Sequence, residues 1–176
     1  NGKGKKQYTD AIYEGSFKNG ERSGKGILTW TNGNSYEGEY KNDQRNGKGV
    51  FLWKDGVKYV GEFIEGYRDG FGTYTYASGA KYVGNHKKNK FKGQGKTYSK
   101  EGLIMYDGGF TNSKQEGQGT KYYTNGKHVG EFKDNLRHGF GKFYDSEGTL
   151  TFEGEYKDDK AHGKGISYYT SGKKSY

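Results

Sequence analysis

The sequence predicts an all-β protein: an elongated, single-layer antiparallel sheet of stacked β-hairpins. Aromatic residues and glycines recur in one fixed order along the 176-residue chain, and the pattern returns about every 23 residues, a period typical of repeat proteins. Within each repeat, aromatic and glycine positions alternate with charged positions, as in a strand with two different faces. No stretch shows the period of an amphipathic helix.

The most regular repeat occupies residues 36–58. In order, it contains an aromatic, a glycine, a second aromatic, a polar segment, a Gly-x-Gly pair, a third aromatic and a final glycine: Tyr36, Gly38, Tyr40, Gly47, Gly49, Trp53 and Gly56. The same spacing predicts seven full repeats, beginning near residues 13, 36, 59, 82, 106, 128 and 152 and ending near Tyr176. Residues 1–12 match the second half of a repeat, so we expect a truncated repeat there, in a fragment of a longer array.

Each repeat is predicted to be one hairpin. Residues 36–40 place their aromatics and glycine on one face of a first strand, and residues 47–53 do the same for a second strand. The segment between them, KNDQRN, is rich in turn-forming residues, and Asn46 and Gly47 tolerate positive φ. A glycine on the aromatic face leaves room for a neighbouring ring to lie against the backbone. One face should therefore be a floor of rings and glycines, and the other should be charged.

Two repeats depart from this pattern. Those beginning at Tyr82 and His128 contain one extra residue, and they carry Ser99 and Asp145 where the third aromatic is expected. An extra residue in a strand is accommodated by a β-bulge. We therefore predict a local bulge or register shift in each of these repeats.

The motif resembles a known repeat family. Tyr36-Glu37-Gly38-Glu39-Tyr40 and Phe152-Glu153-Gly154-Glu155-Tyr156, each followed by Gly-x-Gly, are similar to the MORN repeat (membrane occupation and recognition nexus). The resemblance covers essentially the whole chain. It implies an antiparallel sheet, often curved into an open groove, and a non-catalytic scaffold or adaptor in a cytoskeletal, ciliary or junctional assembly. It also implies that protein partners are bound at least as often as membranes.

Composition limits the remaining options. The chain has no cysteine and a net charge of +9, so disulfides, thiol nucleophiles and thiolate metal sites are excluded. Leu, Ile, Val and Phe make up only about a seventh of the residues, which alone would indicate disorder, but disorder would not keep aromatics in phase with glycines. No apolar run approaches the ~18 residues of a membrane span. We expect a cytoplasmic protein, associated with the cytoskeleton, a cilium or the inner face of a membrane.

Catalytic signals are weak. We interpret the four histidines, His86, His128, His138 and His162, as solvated turn residues, since they form no cluster with metal-ligand spacing. Gly95-Lys96-Thr97 resembles the end of a phosphate-binding loop, but Lys90 stands where that motif needs glycine. The sequence thus predicts no enzyme, no cofactor and no metal site, and no motif that reads nucleic-acid bases.

The aromatic face is the first candidate binding surface. A single-layer sheet leaves any ring that its neighbours do not cover exposed to a partner. Trp and Tyr are favoured anchors at protein interfaces. We therefore predict a groove that binds a helix or extended peptide of a protein partner along Tyr36, Tyr40, Trp53, Tyr59, Phe63 and Tyr76. The alternative is that these rings fill the face as core.

The basic residues give a second interpretation. Arginines recur at one repeat position, expected in the hairpin turn, and lysines at another. A stripe of cations could bind anionic phospholipid through Arg22, Arg45, Arg68, Arg137, Lys18 and Lys41. Glutamates on the same predicted face would neutralise part of this charge. A third interpretation is self-association, because the two ends of the sheet are open edges.

Overall fold

The computed structural model describes residues 1–168 and the backbone of Lys174–Ser175. The described residues are all-β and contain no helix, as the sequence predicted, and therefore none long and apolar enough to cross a membrane. They divide into two compact units, Asn1–Lys90 and Phe91–Tyr176. The predicted end of the last repeat, at Tyr176, lies outside the described residues.

In the first unit, each strand pairs antiparallel with the next strand in sequence. The strands are β1 (Gly2–Gln7), β2 (Ala11–Lys18), β3 (Glu21–Trp30), β4 (Ser35–Lys41), β5 (Gln44–Leu52), β6 (Lys58–Ile64), β7 (Tyr67–Thr75) and β8 (Lys81–Lys87). Glycine lies opposite glycine at every one of these pairings: Gly4, Gly15, Gly26, Gly38, Gly49, Gly61, Gly72 and Gly84 form one ladder across the strands.

The second unit repeats this arrangement from its first strand onwards. Its strands are β9 (Lys90–Tyr98), β10 (Ile104–Thr111), β11 (Lys114–Tyr123), β12 (Gly126–Lys133), β13 (Leu136–Asp145), β14 (Leu150–Lys157), β15 (Lys160–Tyr168) and β16 (Lys174–Ser175). Its glycine ladder runs through Gly95, Gly108, Gly119, Gly130, Gly141, Gly154 and Gly165.

The turn inside each hairpin is shorter than the sequence suggested. Lys41 pairs with Gln44, so the turn consists of Asn42 and Asp43 alone. Both have positive φ, 49° and 61°, the left-handed conformation of a type I′ hairpin turn. The predicted turn residues Asn46 and Gly47 therefore lie inside β5.

A bulge follows this turn in the second strand of the hairpin. Gly38 pairs with Gly49 but Tyr40 pairs with Arg45, so three residues of β5 face the single residue Glu39. Gly47, within this bulge, has φ 88°. The same shift occurs between Gly15 and Phe17 and between Gly61 and Phe63. The repeat spacing alone does not reveal this regular bulge.

The two irregular bulges that the extra residues predicted are present. The pairing of β9 with β10 shifts by one residue between Ile104 and Tyr106. The pairing of β13 with β14 shifts between Phe143 and Tyr144. Ser99 and Asp145 keep the turn of their repeats: each backbone N–H donates to the carbonyl four residues on, at 2.9 Å, as Trp53 does.

The hydrophobic core lies on one face of the sheet, which we call the ring face: it carries the first and second aromatics of each repeat. Tyr36 has no exposed surface. Its ring meets those of Tyr40 and Phe63 edge-on, with centroids 5.2 and 5.0 Å away. Its hydroxyl donates to the carbonyl of Glu39 at 3.0 Å. The corresponding tyrosines bond in the same way, to the carbonyl three residues on: Tyr13, Tyr59, Tyr82 and Tyr106.

Glycine is required in the ladder because these rings lie against it. A Cβ added to Gly38 would stand 2.4 Å from the Tyr36 hydroxyl and 2.6 Å from the Gly49 Cα. The Gly49 Cα cannot move away from this Cβ unless β4 and β5 separate. Gly4 occupies the same ladder position in β1, where an added Cβ would meet Phe17 at an ordinary 3.5 Å.

We predict that Gly38→Ala lowers the free energy of unfolding by about 3 kcal/mol, the upper range for overpacking. Gly4→Ala serves as the matched control and should be neutral or slightly stabilising, because alanine is the better strand residue. Denaturant unfolding of the two variants checks this. Equal effects in both would show that the ring does not impose the glycine.

Candidate functional site

A concave depression occupies the face of the first unit opposite the ring face. Its volume is about 1320 Å³, and the backbone of the glycine ladder forms its floor. Two rows of side chains flank the ladder, and alternation along each strand places them there. One row contains Glu14, Ile27, Glu37, Val50, Val60 and Thr73. The other contains Ser16, Lys25, Glu39, Lys48, Glu62 and Phe71.

Part of this depression is apolar. Val50 and Val60 face each other across β5 and β6. Ile27, Val60 and Phe71 are 45%, 43% and 55% exposed. Because the core of the sheet is on the ring face, the fold does not bury these side chains. Exposed apolar side chains gathered in a depression are typical of a binding surface.

The glutamates of the depression differ in their partners. Glu39 accepts a hydrogen bond from the backbone N–H of Lys48 at 3.1 Å, and Glu62 accepts one from Phe71 at 3.3 Å. These two carboxylates therefore close the bulges. Glu14 pairs with Lys5 at 2.5 Å. The Glu37 carboxylate has no hydrogen bond or ion pair with any residue that the structure describes, so its charge is available to a ligand.

The sequence did not point to this depression. Its apolar residues stand at positions that are charged in other repeats: Val60 corresponds to Glu14 and Glu37, and Phe71 corresponds to Lys25. Apolar residues at charged-face positions were the available signal.

The six aromatic residues of the predicted groove separate into two groups. Tyr36, Tyr40, Tyr59 and Phe63 are 0%, 4%, 0% and 2% exposed, so they form the core and leave no surface for a partner. Their neighbours and the glycines cover them, which is the alternative that the sequence left open. Trp53 is half-buried against Phe51, with ring centroids 4.3 Å apart, and Tyr76 is 41% exposed. A partner contact at these two residues stays a prediction.

The predicted arginine stripe is arranged differently from the expectation. Arg22, Arg45, Arg68 and Arg137 lie in strands β3, β5, β7 and β13, not in turns, because the turns have only two residues. Their guanidinium groups stack on rings of the ring face: the Arg68 Cζ lies 4.8 Å from the Tyr74 centroid and 5.6 Å from that of Trp53. Each also donates through Nη2 to the backbone carbonyl of a turn in the next repeat. Lys18 and Lys41 are exposed.

The interpretation of the histidines as solvated turn residues is wrong: His86 and His128 are buried, and the other two lie in strands and not in turns. His86 and His128 are 3% and 0% exposed, because they occupy aromatic positions of the ring face. The His86 ring packs edge-on against Tyr59 and Tyr82, and the His128 ring against Phe132 and Tyr156. His138 and His162 lie in β13 and β15. No group of three or more potential metal ligands occurs among the described residues.

Comparison with protein-family models identifies the repeat. The MORN repeat model matches residues 13–35, 36–58, 59–81, 106–128, 128–150 and 152–174. The chain belongs to the MORN repeat family. Comparison with curated protein sequences finds no match.

The MORN matches pass over residues 82–105, where the ring face is least regular. This segment has His86 at the second aromatic position, Phe91 where other repeats have arginine, and Ser99 at the third aromatic position. It nevertheless keeps the tyrosine hydrogen bond of the other repeats, because the Tyr82 hydroxyl donates to the Asn85 carbonyl at 2.9 Å. The tyrosine and glycine pattern thus persists where the rest of the motif changes.

The buried histidines of the MORN array should make its stability depend on pH. Burial, with a smaller contribution from a nearby arginine, lowers the pKa of His86 and of His128 to about 4. In the unfolded chain each has the ordinary value of about 6.5. Between these values the unfolded state binds more protons, so stability is complete above pH ~6.5 and declines as the pH falls towards ~4.

We predict that the double variant His86→Phe, His128→Tyr removes most of this decline. Each histidine accounts for on the order of 3 kcal/mol across the window. The check is the free energy of unfolding measured in denaturant at several pH values between pH ~4 and ~7. His162→Gln, at an exposed position, is the control and should keep the wild-type profile. A double variant with the same pH profile as wild type would contradict the assignment.

Proposed function

We propose that this MORN array is a non-catalytic scaffold that binds a protein partner on the concave face of Asn1–Lys90. The observation that carries the proposal is a group of apolar side chains in the depression, which we call the apolar strip: Ile27, Val50 and Val60 in one row and Phe71 in the other, with Ile27, Val60 and Phe71 exposed. The family resemblance supports a role in a cytoskeletal, ciliary or junctional assembly. The proposed surface is thus the face opposite the aromatic groove that the sequence suggested.

The partner that fits this face is an amphipathic segment, either a helix or an extended peptide. Its apolar side chains would cover the strip, and its polar side would meet the charged residues on both flanks. Glu37 lies beside Ile27 and Val50 in the same row. A basic residue of the partner next to its apolar stripe would pair with Glu37, because the other glutamates of the depression already have partners.

The lipid interpretation has less support than the sequence suggested. The four arginines stack on rings and bond to turn carbonyls, so they do not form an open cationic stripe. Of the proposed lipid contacts, only Lys18 and Lys41 are exposed, and the arginines are half-buried. No observation favours a membrane over a protein partner.

We predict that Val60→Lys combined with Phe71→Lys abolishes partner capture from a cell extract, because two charges would lie in the apolar strip. The partner is identified by mass spectrometry of the protein retained by the wild type. Ile64→Lys is the matched control: Ile64 is 48% exposed and lies outside the depression. It should leave capture unchanged.

Circular dichroism and thermal unfolding must show that all variants keep the fold. Capture that persists in the folded double variant contradicts the concave-face proposal. Trp53→Ala then tests the ring face: loss of capture in that variant alone would return the binding site to the aromatic surface.

A further inference from the structure

Four arginines on the ring face each connect their repeat to the turn of the next, and two of them bind a carboxylate there. In the first repeat, the Arg22 backbone N–H and Nε both donate to the same Asp43 Oδ1, at 2.8 and 3.1 Å. In the sixth repeat, Arg137 binds Asp159 Oδ1 with the same two donors, at 2.9 and 3.2 Å. Asp43 and Asp159 occupy the second position of a hairpin turn. The two-donor site is therefore a recurrent feature of the array.

Arg68 uses a neutral acceptor at the same position. Its backbone N–H donates to Asn89 Oδ1 at 2.9 Å, and its Nη2 donates to the Asn89 carbonyl at 2.9 Å. This turn has no carboxylate, but the side-chain oxygen of Asn89 takes the place of the Asp43 oxygen as acceptor.

Arg45 is different because the matching turn residue is Gly66. The Arg45 Nη2 still donates to the Gly66 carbonyl at 2.7 Å, and the Gly66 N–H still donates to the Arg45 carbonyl at 2.9 Å. The backbone connection is thus intact. However, glycine has no side chain, so no oxygen stands where Asp43 supplies one to Arg22.

A pocket is present at this point. It has a volume of about 270 Å³ and is lined by Arg45, Phe51, Trp53, Phe63, Gly66, Arg68 and Asn89, with no acidic residue among its walls. The Arg45 Cζ lies 5.1 Å from the Phe51 centroid and 5.4 Å from that of Phe63. Burial lowers the pKa of Arg45, and the nearby Arg68 adds to the effect. An anion here would therefore meet a partly dehydrated guanidinium group with a second one beside it.

We propose that this pocket binds a carboxylate group of a peptide ligand, an Asp or Glu side chain or a C-terminus. Asp43 and Asp159 show that these two donors, set among rings, can both donate to one carboxylate oxygen. The same geometry favours a carboxylate over a phosphate, whose larger charge and stronger hydration make burial beside aromatic rings more costly. The site is independent of the concave face, because it lies on the ring face of the same unit.

Gly66 permits a decisive pair of variants. Its φ is 82°, close to the 61° of Asp43 and the 67° of Asp159, and an added Cβ would have no atom within 4 Å. Gly66→Asp should fold normally and fill the pocket with a carboxylate of the chain itself. Asp43→Gly should do the reverse and open a second site at Arg22.

The test is an NMR titration of the backbone N–H and Nε–H of the arginines with sodium acetate, against sodium chloride at equal ionic strength. In the wild type we expect a saturable shift of both Arg45 signals and no comparable shift at Arg22. In Gly66→Asp the Arg45 shift should be lost. In Asp43→Gly a new saturable shift should appear at Arg22.

Four results would overturn the proposal. Arg45 signals that do not respond to acetate in the wild type would show that the pocket has no affinity for carboxylates. An equal response to chloride would show that the pocket does not select a carboxylate, and an unchanged response in Gly66→Asp would show that acetate binds elsewhere. A larger Arg45 response to inorganic phosphate than to acetate would assign the pocket to phosphate. None of these results depends on whether the concave face binds a partner.

Discussion

Each tyrosine that begins a repeat lies against the backbone of two paired glycines, and this contact allows a single layer of sheet to have a core. In most domains a sheet buries its apolar face against a second layer. Here the ring of Tyr36 is covered by Gly38 and Gly49 beneath it and by Tyr40 and Phe63 at its sides. The regular bulge is part of the same arrangement. It lies next to the glycine pair and faces Glu39, and the Tyr36 hydroxyl donates a hydrogen bond to the Glu39 carbonyl. The opposite face is left out of the core and can be varied.

The repeats are held together on the ring face by side chains that reach forward by one repeat. Arg22, Arg68 and Arg137 stack on aromatic rings while they fix the turn that follows. Each of these contacts therefore combines packing with hydrogen bonding: aromatic rings surround the guanidinium group, and the turn accepts its hydrogen bonds. Where arginine is absent, a turn side chain still closes the connection: the Phe91 N–H donates to Ser113 Oγ at 3.0 Å, and the Gln115 N–H donates to Asn135 Oδ1 at 2.8 Å.

Sequence periodicity predicted the hairpins, their aromatic and charged faces and the two irregular bulges, because strand alternation and repeat spacing determine them directly. It did not predict which rings are buried, since the exposure of a ring on a single-layer sheet depends on how closely its neighbours approach, and the glycine ladder allows unusually close approach.

The sequence pattern placed the arginines in turns because the polar segment KNDQRN offered no way to recognise that Asn42 and Asp43 alone reverse the chain. The histidines were predicted to be solvated because imidazole is polar, but an imidazole ring can also replace an aromatic ring in the core. The concave face could not be predicted because Val60 and Phe71 are each ordinary strand residues. Their exposure becomes significant only once the other face is known to hold the core.

The separation of the two faces has a consequence for how such arrays diverge. Every strand carries folding information on alternate residues and leaves the intervening residues unconstrained by the core. Apart from glutamates such as Glu39 and Glu62, which close the bulges, the outer positions can therefore exchange valine, glutamate or lysine without disturbing the core. A partner bound on that face, as we propose, would slow substitution there, so substitution rates compared between odd and even strand positions across related genes would show which repeats have kept a common partner.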